Sequence, residues 1–170
     1  SIRAVLGIPP RLRAAPLEPP TVSNERRDAA LEWLGQILEQ SADEIVAANV
    51  RDVETAAKAG LSKPMLERLS LDPKKIAGIA EGVRQVCKLP DPVGEVIEST
   101  TRPNGIEISK VRTPIGVIGI IYESRPNVTI DCAALCLKSG NAAILRGGSE
   151  AFGTNMALAK LISRALADTG

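Results

Sequence analysis

A nearly uninterrupted apolar run from Ile115 to Tyr122 constrains the fold of this chain more than any other feature. Strands that are buried on both faces of a parallel sheet have such runs, whereas half-exposed strands alternate. A helical stretch from about Val128 to Ser139 follows, then a second apolar run from Ala142 to Leu145 and another helical stretch. The order strand, helix, strand, helix predicts that residues 114–170 begin a doubly wound α/β domain.

The residues before this pattern predict helices followed by a hairpin. Residues 23–92 contain several stretches with apolar side chains at helical spacing, so we interpret them as a helical segment. Pro103-Asn104-Gly105 is a turn signal between two β-like stretches, which predicts a β-hairpin over residues 93–113. Residues 1–22 contain five of the twelve prolines and are interpreted as a leader that is poorly ordered or docked elsewhere.

The two apolar runs pose a problem of burial. A sheet of two strands cannot cover both of its own faces. The sequence ends at Gly170, where a further strand is expected. Either this chain is a fragment or a partner chain covers the sheet, and we prefer the fragment because open sheet edges are a liability.

Composition excludes several classes of partner. The net charge is +1, which gives no long-range field to attract nucleic acid or an anionic membrane. Aromatic residues make up only 2% of the chain, too few for the stacking platforms of single-strand binding. Neither a membrane-spanning run nor a signal peptide is recognised, and sparse cysteines without secretion signals indicate a cytoplasmic protein.

The chain contains no histidine, and this limits its chemistry. Ser-His-Asp and Cys-His catalysis and the common zinc sites are excluded. Cys132 and Cys136 lie four residues apart on one predicted helix, and Cys87 ends another apolar stripe. Without histidine or a further nearby cysteine we expect no metal site, and we interpret all three as small buried residues.

The loop after the second apolar run has residues suited to a nucleotide. Gly147 and Gly148 would let the backbone approach a ligand, and Ser149 would cap a helix whose amides favour an anion. Arg146 offers a planar fork for a phosphate, and Glu150 would accept hydrogen bonds from ribose hydroxyls. The alternative is a plain helix start with a tight Gly-Gly turn and a solvated arginine, because the G-x-G-x-x-G fingerprint is absent.

The loop after the first apolar run offers Ser124, Arg125 and Asn127. In an open α/β sheet, ligands bind beyond the carboxyl ends of the strands, where both loops should lie. Arg125 could pair with a carboxylate or a phosphate, and the Asn127 amide could stabilise a developing oxyanion. The alternative is that Pro126 and Asn127 only start a helix.

Two segments in this order and separation resemble the γ-glutamyl phosphate reductase family, also called glutamate-5-semialdehyde dehydrogenases. They are Pro114–Asp131, with Tyr-Glu-Ser-Arg-Pro-Asn-Val-Thr, and Cys136–Ala151, with Ile-Leu-Arg-Gly-Gly-Ser-Glu-Ala. Upstream, Ala47–Asp52 and Met65–Leu71 also fit the family, and the resemblance covers residues 24–170.

The resemblance implies the fold and the reaction. The family is a branch of the aldehyde dehydrogenase superfamily, so the expected fold is a Rossmann-like α/β cofactor domain, incomplete here, preceded by a helical segment and an oligomerisation hairpin. The implied reaction reduces L-glutamyl 5-phosphate with NADPH to L-glutamate 5-semialdehyde and phosphate, in proline biosynthesis. A cysteine thiolate attacks the acyl phosphate, and hydride then cleaves the thioester.

The resemblance also implies roles for particular residues. Arg146, Ser149 and Glu150 match the superfamily loop that holds the adenine ribose, and an arginine there suits the 2′-phosphate of NADP. Asn127 corresponds to the superfamily's oxyanion asparagine. Ser124 and Arg125 are expected to contact the substrate phosphate or carboxylate.

The family's nucleophile is not matched by any cysteine of this chain, so the chain alone is expected to be inactive. A cofactor-binding portion of an oxidoreductase is therefore the favoured hypothesis, with a non-catalytic remnant or binding module as the alternative. A small complete enzyme using Cys132 or Cys136 is the third. For the full-length enzyme the resemblance implies a homo-oligomer, and it leaves open coupling to a glutamate 5-kinase.

Overall fold

The computed structural model describes residues 22–169, and the predicted leader falls outside them apart from Val22. Four helices come first. Ser23 caps the first by accepting from the Arg26 amide, and Asp72 caps the fourth by accepting from the Lys75 amide at 2.7 Å, with Pro73 at the start where a missing N–H is harmless. The bounds are α1 Asn24–Gln40, α2 Ala42–Lys58, α3 Lys63–Leu69 and α4 Pro73–Cys87.

A hairpin follows the helices. Its strands are β1, Val96–Thr101, and β2, Glu107–Val111, and they pair antiparallel with a register shift between Val96 and Glu98. The predicted turn lies between them, where Gly105 adopts a φ of +85° and its amide donates to the Arg102 carbonyl. Every residue of both strands is exposed.

The remaining residues form the predicted strand–helix–strand–helix unit. Strand β3, Val117–Ile121, leads into helix α5, Pro126–Lys138, and strand β4, Ala142–Arg146, lies parallel to β3 with Ile121 opposite Arg146. A short 3-10 helix, Ser149–Ala151, precedes helix α6, Phe152–Thr169. The predicted α/β fold class is confirmed.

One core joins the helical segment to the α/β unit. Helix α1 packs against α4, α5 and α6, and α2 packs against α6. Burying one aliphatic side chain of this kind stabilises a fold by roughly 1.5–3 kcal/mol. The largest fully buried apolar side chains are Leu31, Ile37, Leu38, Ile45, Leu69, Ile76, Val83, Ile130, Leu145 and Leu158.

Within residues 22–169 only one face of the β3–β4 sheet is covered, as expected for a sheet of two strands, and burial of both faces stays a prediction. Alternate residues of both strands are exposed, with Val117 53% and Ile121 77% accessible. The helices cover the other face, on which Leu145 is 1% exposed. The apolar run therefore has the composition of a doubly covered strand, while only one face is covered here.

Two buried cations connect α1 to α5. The Arg27 guanidinium donates to the Lys138 carbonyl and lies 2.7 Å from Asp91, while its Nε has no partner among the described residues. Lys138 Nζ lies 2.6 Å from Asp28 and donates to the Cys87 carbonyl. Lys138 thus does more than complement its own helix end.

Within residues 22–169, no helix is long and apolar enough to cross a membrane.

Candidate functional site

The two predicted loops begin side by side at the carboxyl edge of the β3–β4 sheet. Ile121 and Arg146 are paired in register, and the Tyr122 amide donates to the Arg146 carbonyl at 3.0 Å. Because parallel strands end at the same edge, the chain after Tyr122 and the chain after Arg146 must leave the sheet together. This is the edge at which open α/β sheets bind ligands.

Ser124 and Glu150 connect the two loops. The Ser124 hydroxyl donates to Glu150 Oε2 at 2.5 Å, and both side chains are half-buried. This hydrogen bond, followed by one from the backbone, lowers the pKa of the Glu150 carboxyl. Glu150 is therefore a carboxylate with one oxygen fixed by Ser124.

Gly147 and Gly148 are required by the packing of the loops themselves. A Cβ at Gly147 would collide with the Asn155 side-chain amide and lie 3.0 Å from the Tyr122 ring. A Cβ at Gly148 would collide with the Ser124 hydroxyl and lie 2.7 Å from Glu150 Oε2. Close approach of a ligand to these glycines stays a prediction, since the neighbouring side chains already explain why no larger residue fits.

The start of α6 is capped from another helix. Asp52 of α2 accepts from the Gly153 amide at 3.2 Å, the Thr154 amide at 2.6 Å and the Thr154 hydroxyl at 2.7 Å. The prediction that Ser149 caps this helix is wrong: Ser149 opens the 3-10 turn and is exposed, so Asp52 takes the place expected for Ser149 or a ligand anion.

Asn49 extends this arrangement into the core. Its side chain donates to the Leu69 carbonyl and the Thr154 hydroxyl and accepts from the Leu71 amide at 2.7 Å. Asn49, Asp52 and Thr154 are called the helix-end cluster below. The only signal for it in the sequence was that Ala47–Asp52 carried part of the family resemblance.

Arg146 lies at the end of β4 with an exposed side chain. Within residues 22–169 it forms no ion pair. Its guanidinium is a permanent positive charge on a residue that precedes the Gly147–Glu150 loop, and it remains available to an anionic ligand.

Arg125 and Asn127 face a different space from Ser124. They line a cleft of about 480 Å³ between the start of α5 and the helices α3 and α4. Its other polar lining includes Arg68, Lys75 and Asp131. The structure therefore divides the predicted residues into two groups, with Ser124 joining the Arg146–Glu150 loop and with Arg125 and Asn127 in the cleft.

Asn127 lies in the first turn of α5, as the simpler interpretation also predicted. Its amide donates to Asp131 Oδ2 at 3.2 Å. Burial raises the pKa of the Asp131 carboxyl, and the hydrogen bond from Asn127 opposes that rise. No pattern in the sequence associated Asp131 with a cleft.

In all three cysteines, burial outweighs any feature that would activate the thiol. Cys87 ends α4, and Cys132 and Cys136 lie within α5. Burial raises the pKa of all three thiols. A thiolate is the nucleophilic form, so none of them is prepared for attack on a substrate.

The chain that carries these loops is similar in sequence to several curated proteins. No protein-family model matches the chain. A gamma-glutamyl phosphate reductase from Carboxydothermus hydrogenoformans is 53% identical over 162 residues, 95% of this chain and 39% of the relative. One from Opitutus terrae is 56% identical over 156 residues, 92% of this chain and 37% of the relative. The chain is similar to part of gamma-glutamyl phosphate reductase. It spans about two fifths of the length of these curated relatives.

Solved structures agree with this assignment. The crystal structure of gamma-glutamyl phosphate reductase from Thermotoga maritima superposes with a TM-score of 0.83 at 43% identity, covering 86% of this chain and 36% of that one. An NAD-dependent benzaldehyde dehydrogenase from Corynebacterium glutamicum superposes with a TM-score of 0.64 at 22% identity, covering 84% and 28%. The second likeness shows the aldehyde dehydrogenase fold alone.

Proposed function

We propose that this chain supplies part of the cofactor domain of an enzyme that reduces L-glutamyl 5-phosphate to L-glutamate 5-semialdehyde and phosphate. The observation that supports this most directly is the 53% identity to a gamma-glutamyl phosphate reductase across 95% of the chain, a span that includes both strand-end loops. This reaction is a step of proline biosynthesis, and we place the enzyme in the cytoplasm.

The cofactor in this proposal is NADPH. Arg146 would pair with the 2′-phosphate of the adenine ribose, and Glu150 would accept hydrogen bonds from ribose hydroxyls. Ser124 would act on the cofactor side, because its hydroxyl already holds one oxygen of Glu150. Gly147, Gly148 and Ser149 would line this subsite. The amides of Gly153 and Thr154 are not available to the cofactor, since Asp52 accepts from both.

The nucleophile is proposed to come from a segment outside this chain. The buried thiols of Cys87, Cys132 and Cys136 have raised pKa values. The same observation favours the second candidate function, a non-catalytic binding module of this fold, for the chain on its own. Asn127 remains a proposed oxyanion donor, and to serve as one it must share its amide hydrogens with Asp131.

The proposed division of labour follows the elements. The helical segment 23–92 supports the cofactor unit 114–170, and the exposed hairpin 93–113 would join subunits of a homo-oligomer. Five apolar hairpin side chains are about half exposed, which suits an interface. They are Val96, Ile97, Ile106, Ile108 and Val111. Coupling to a glutamate 5-kinase is retained as a partner proposal.

A titration with reduced cofactor tests the proposal. NADPH fluorescence is measured against the chain and compared with NADH. Arg146→Ala is expected to weaken NADPH binding by about tenfold, because one charge-assisted contact to a phosphate is lost. Arg164→Ala, which removes an exposed arginine of α6 away from the loops, is the matched control. Equal affinity for both cofactors, or equal effects of the two substitutions, would contradict the assignment of Arg146.

A further inference from the structure

The cleft beside α5 has the size of a small-molecule site. Its volume of about 480 Å³ lies within the range of roughly 300–1,000 Å³ that is usual for ligand pockets. Three elements meet there, since α3 supplies Arg68, α4 supplies Gly78 and Ile79, and the start of α5 supplies Asp131. The cleft is therefore formed by long-range packing and is more than a groove along one helix.

Two of the three cations that line the cleft, Arg68 and Arg125, form only long, exposed ion pairs, whereas Lys75 donates to two backbone carbonyls. Glu123 lies 3.6 Å from Arg125 and 3.8 Å from Arg68, and all three side chains are about half exposed or more. Exposed ion pairs at such distances contribute little to stability. One carboxylate already approaches both guanidiniums, so a ligand carboxylate could replace it without breaking a strong contact.

The anionic side of the cleft lacks a cation. Asp131 accepts a hydrogen bond from Asn127 to one carboxylate oxygen. Within residues 22–169 it forms no ion pair. Its side chain is exposed at the edge of the cleft, yet the surrounding protein desolvates its charged form, and this raises its pKa. A ligand ammonium at this point would offset that penalty.

A glycine, Gly78, borders the cleft. Gly78 lies in the middle of α4, where glycine destabilises a helix relative to alanine. A Cβ at Gly78 would meet no atom within 4 Å, so packing gives no reason for the glycine. Gly82, one turn later, also has open space around it but does not line the cleft. Substitutions at Gly78 and Gly82 can therefore be compared to test whether a ligand occupies the space beside Gly78.

We propose that the cleft binds the free α-amino acid end of the substrate. Arg125 and Arg68 would hold its α-carboxylate and Asp131 its α-ammonium, with the methylene chain lying over Ile79 beside Gly78. This inference rests on the proposed function, because it takes a glutamyl group as the ligand. It assigns a recognition role to Asp131 and Gly78, and of the two contacts expected for Arg125, phosphate or carboxylate, it selects the α-carboxylate.

Binding of L-glutamate, the end group without the phosphate, tests the inference. Amide chemical shifts of the chain are followed during titrations with L-glutamate and with glutarate, which lacks the amino group. We expect L-glutamate to shift residues of α3, α4 and the start of α5, and to bind about tenfold more tightly than glutarate. Asp131→Asn should remove that preference, and Arg125→Gln should weaken both ligands by about tenfold.

The two glycines supply the matched control. Gly78→Met places a side chain in the cleft and is expected to abolish L-glutamate binding, whereas Gly82→Met adds the same side chain one turn away and should leave binding unchanged. Circular dichroism checks that both variants are folded. Absence of shifts at the cleft up to the solubility limit of L-glutamate, or equal effects of the two methionines, would overturn the inference.

The same samples separate this inference from the proposed function. NADPH is titrated into the wild-type chain and into Gly78→Met. If the chain binds NADPH but not L-glutamate, the proposed cofactor role stands and the proposal that the cleft is a substrate site is overturned. If the chain binds L-glutamate with the expected effects of the variants but does not bind NADPH, the proposed substrate site stands and the cofactor assignment is overturned. NADPH affinity should be the same in Gly78→Met as in the wild type.

Discussion

The helix-end cluster and the cleft are both built from asparagine and aspartate, yet they differ in how completely these residues are bonded. Asn49 is 1% exposed and makes three hydrogen bonds, and both oxygens of Asp52 accept from α6. Asn127 and Asp131 share one hydrogen bond of 3.2 Å at the edge of a solvent-filled space. Polar groups whose hydrogen bonds are all made within the protein hold its elements together. Polar groups beside a cleft that still have unused donors or acceptors remain available to a ligand.

The largest expected difference between the two regions is in their asparagines. Asn49→Ala should lower the free energy of unfolding by about 2–4 kcal/mol, because the buried Leu71 amide loses its acceptor, and the Leu69 carbonyl and the Thr154 hydroxyl lose their donor. Asn127→Ala should change it by less than about 0.5 kcal/mol. Urea denaturation of both variants measures the difference. Similar losses for the two would remove the basis of the comparison.

The aspartates give the next effect. Asp52→Asn should lower the free energy of unfolding by about 1–2 kcal/mol. The negative charge at the start of α6 is lost, and the asparagine NH2 group that replaces one carboxylate oxygen cannot accept a hydrogen bond. Asp131→Asn should not destabilise the fold at neutral pH. A loss of stability in Asp131→Asn equal to that in Asp52→Asn would contradict this.

The pH dependence has a defined sign at Asp131. Its folded pKa is raised above the ordinary value of 3.8, so the folded chain binds more protons than the unfolded chain between these two values. Wild-type stability from this group is therefore greatest below 3.8 and falls as the pH rises through that window. The stability of Asp131→Asn relative to wild type should increase over the same window, as measured by denaturation at several pH values.

A smaller effect is expected at the glycines of α4. Gly78→Ala and Gly82→Ala should each raise the free energy of unfolding by about 0.5–1 kcal/mol, since both sites are helical and have room for a methyl group. The two substitutions should be equal in stability. A clear loss of stability in Gly78→Ala alone would mean that the glycine has a packing role.

The smallest effect concerns the Ser124–Glu150 bond. Ser124→Ala should move the Glu150 pKa up towards its ordinary value of 4.5, because the hydroxyl is the main cause of its lowering. A lowered pKa gives stability that is lost as the pH falls, so this variant should lose less stability on acidification. Carbon-13 titration of the Glu150 carboxyl reports the shift. Ser149→Ala should move it less, because Ser149 is the weakest contributor.

Much of the fold was predictable because local signals and tertiary structure agree. The Pro103–Gly105 turn is determined by nearby residues and forms as predicted, and the Asp72-Pro73 start of α4 is determined equally locally. The apolar runs correctly predicted parallel strands. They also indicated that two strands alone would leave a face uncovered, and Val117 and Ile121 lie on that exposed face.

The candidate site was harder to predict, because its contacts join residues that are far apart in the chain. The position of Ser124 and Arg125 after a buried strand was readable, but adjacent residues of a loop can face different spaces, and these two do. Asp52 reaches α6 across 102 positions, so no local pattern could show that the helix start was already occupied. Asp131 lines a cleft only because α3 and α4, which are distant in the sequence, pack beside the start of α5.

The hairpin offers a place where the chain can be opened for engineering. Its strands contact chiefly each other, while the buried Arg27 and Lys138 contacts and the helix-end cluster join the segments on either side of it. An inserted reporter domain or new chain termini at residues 103–105 would therefore leave the shared core undivided. Two polypeptides separated at this turn should recognise each other through the surface that the unbroken chain already buries.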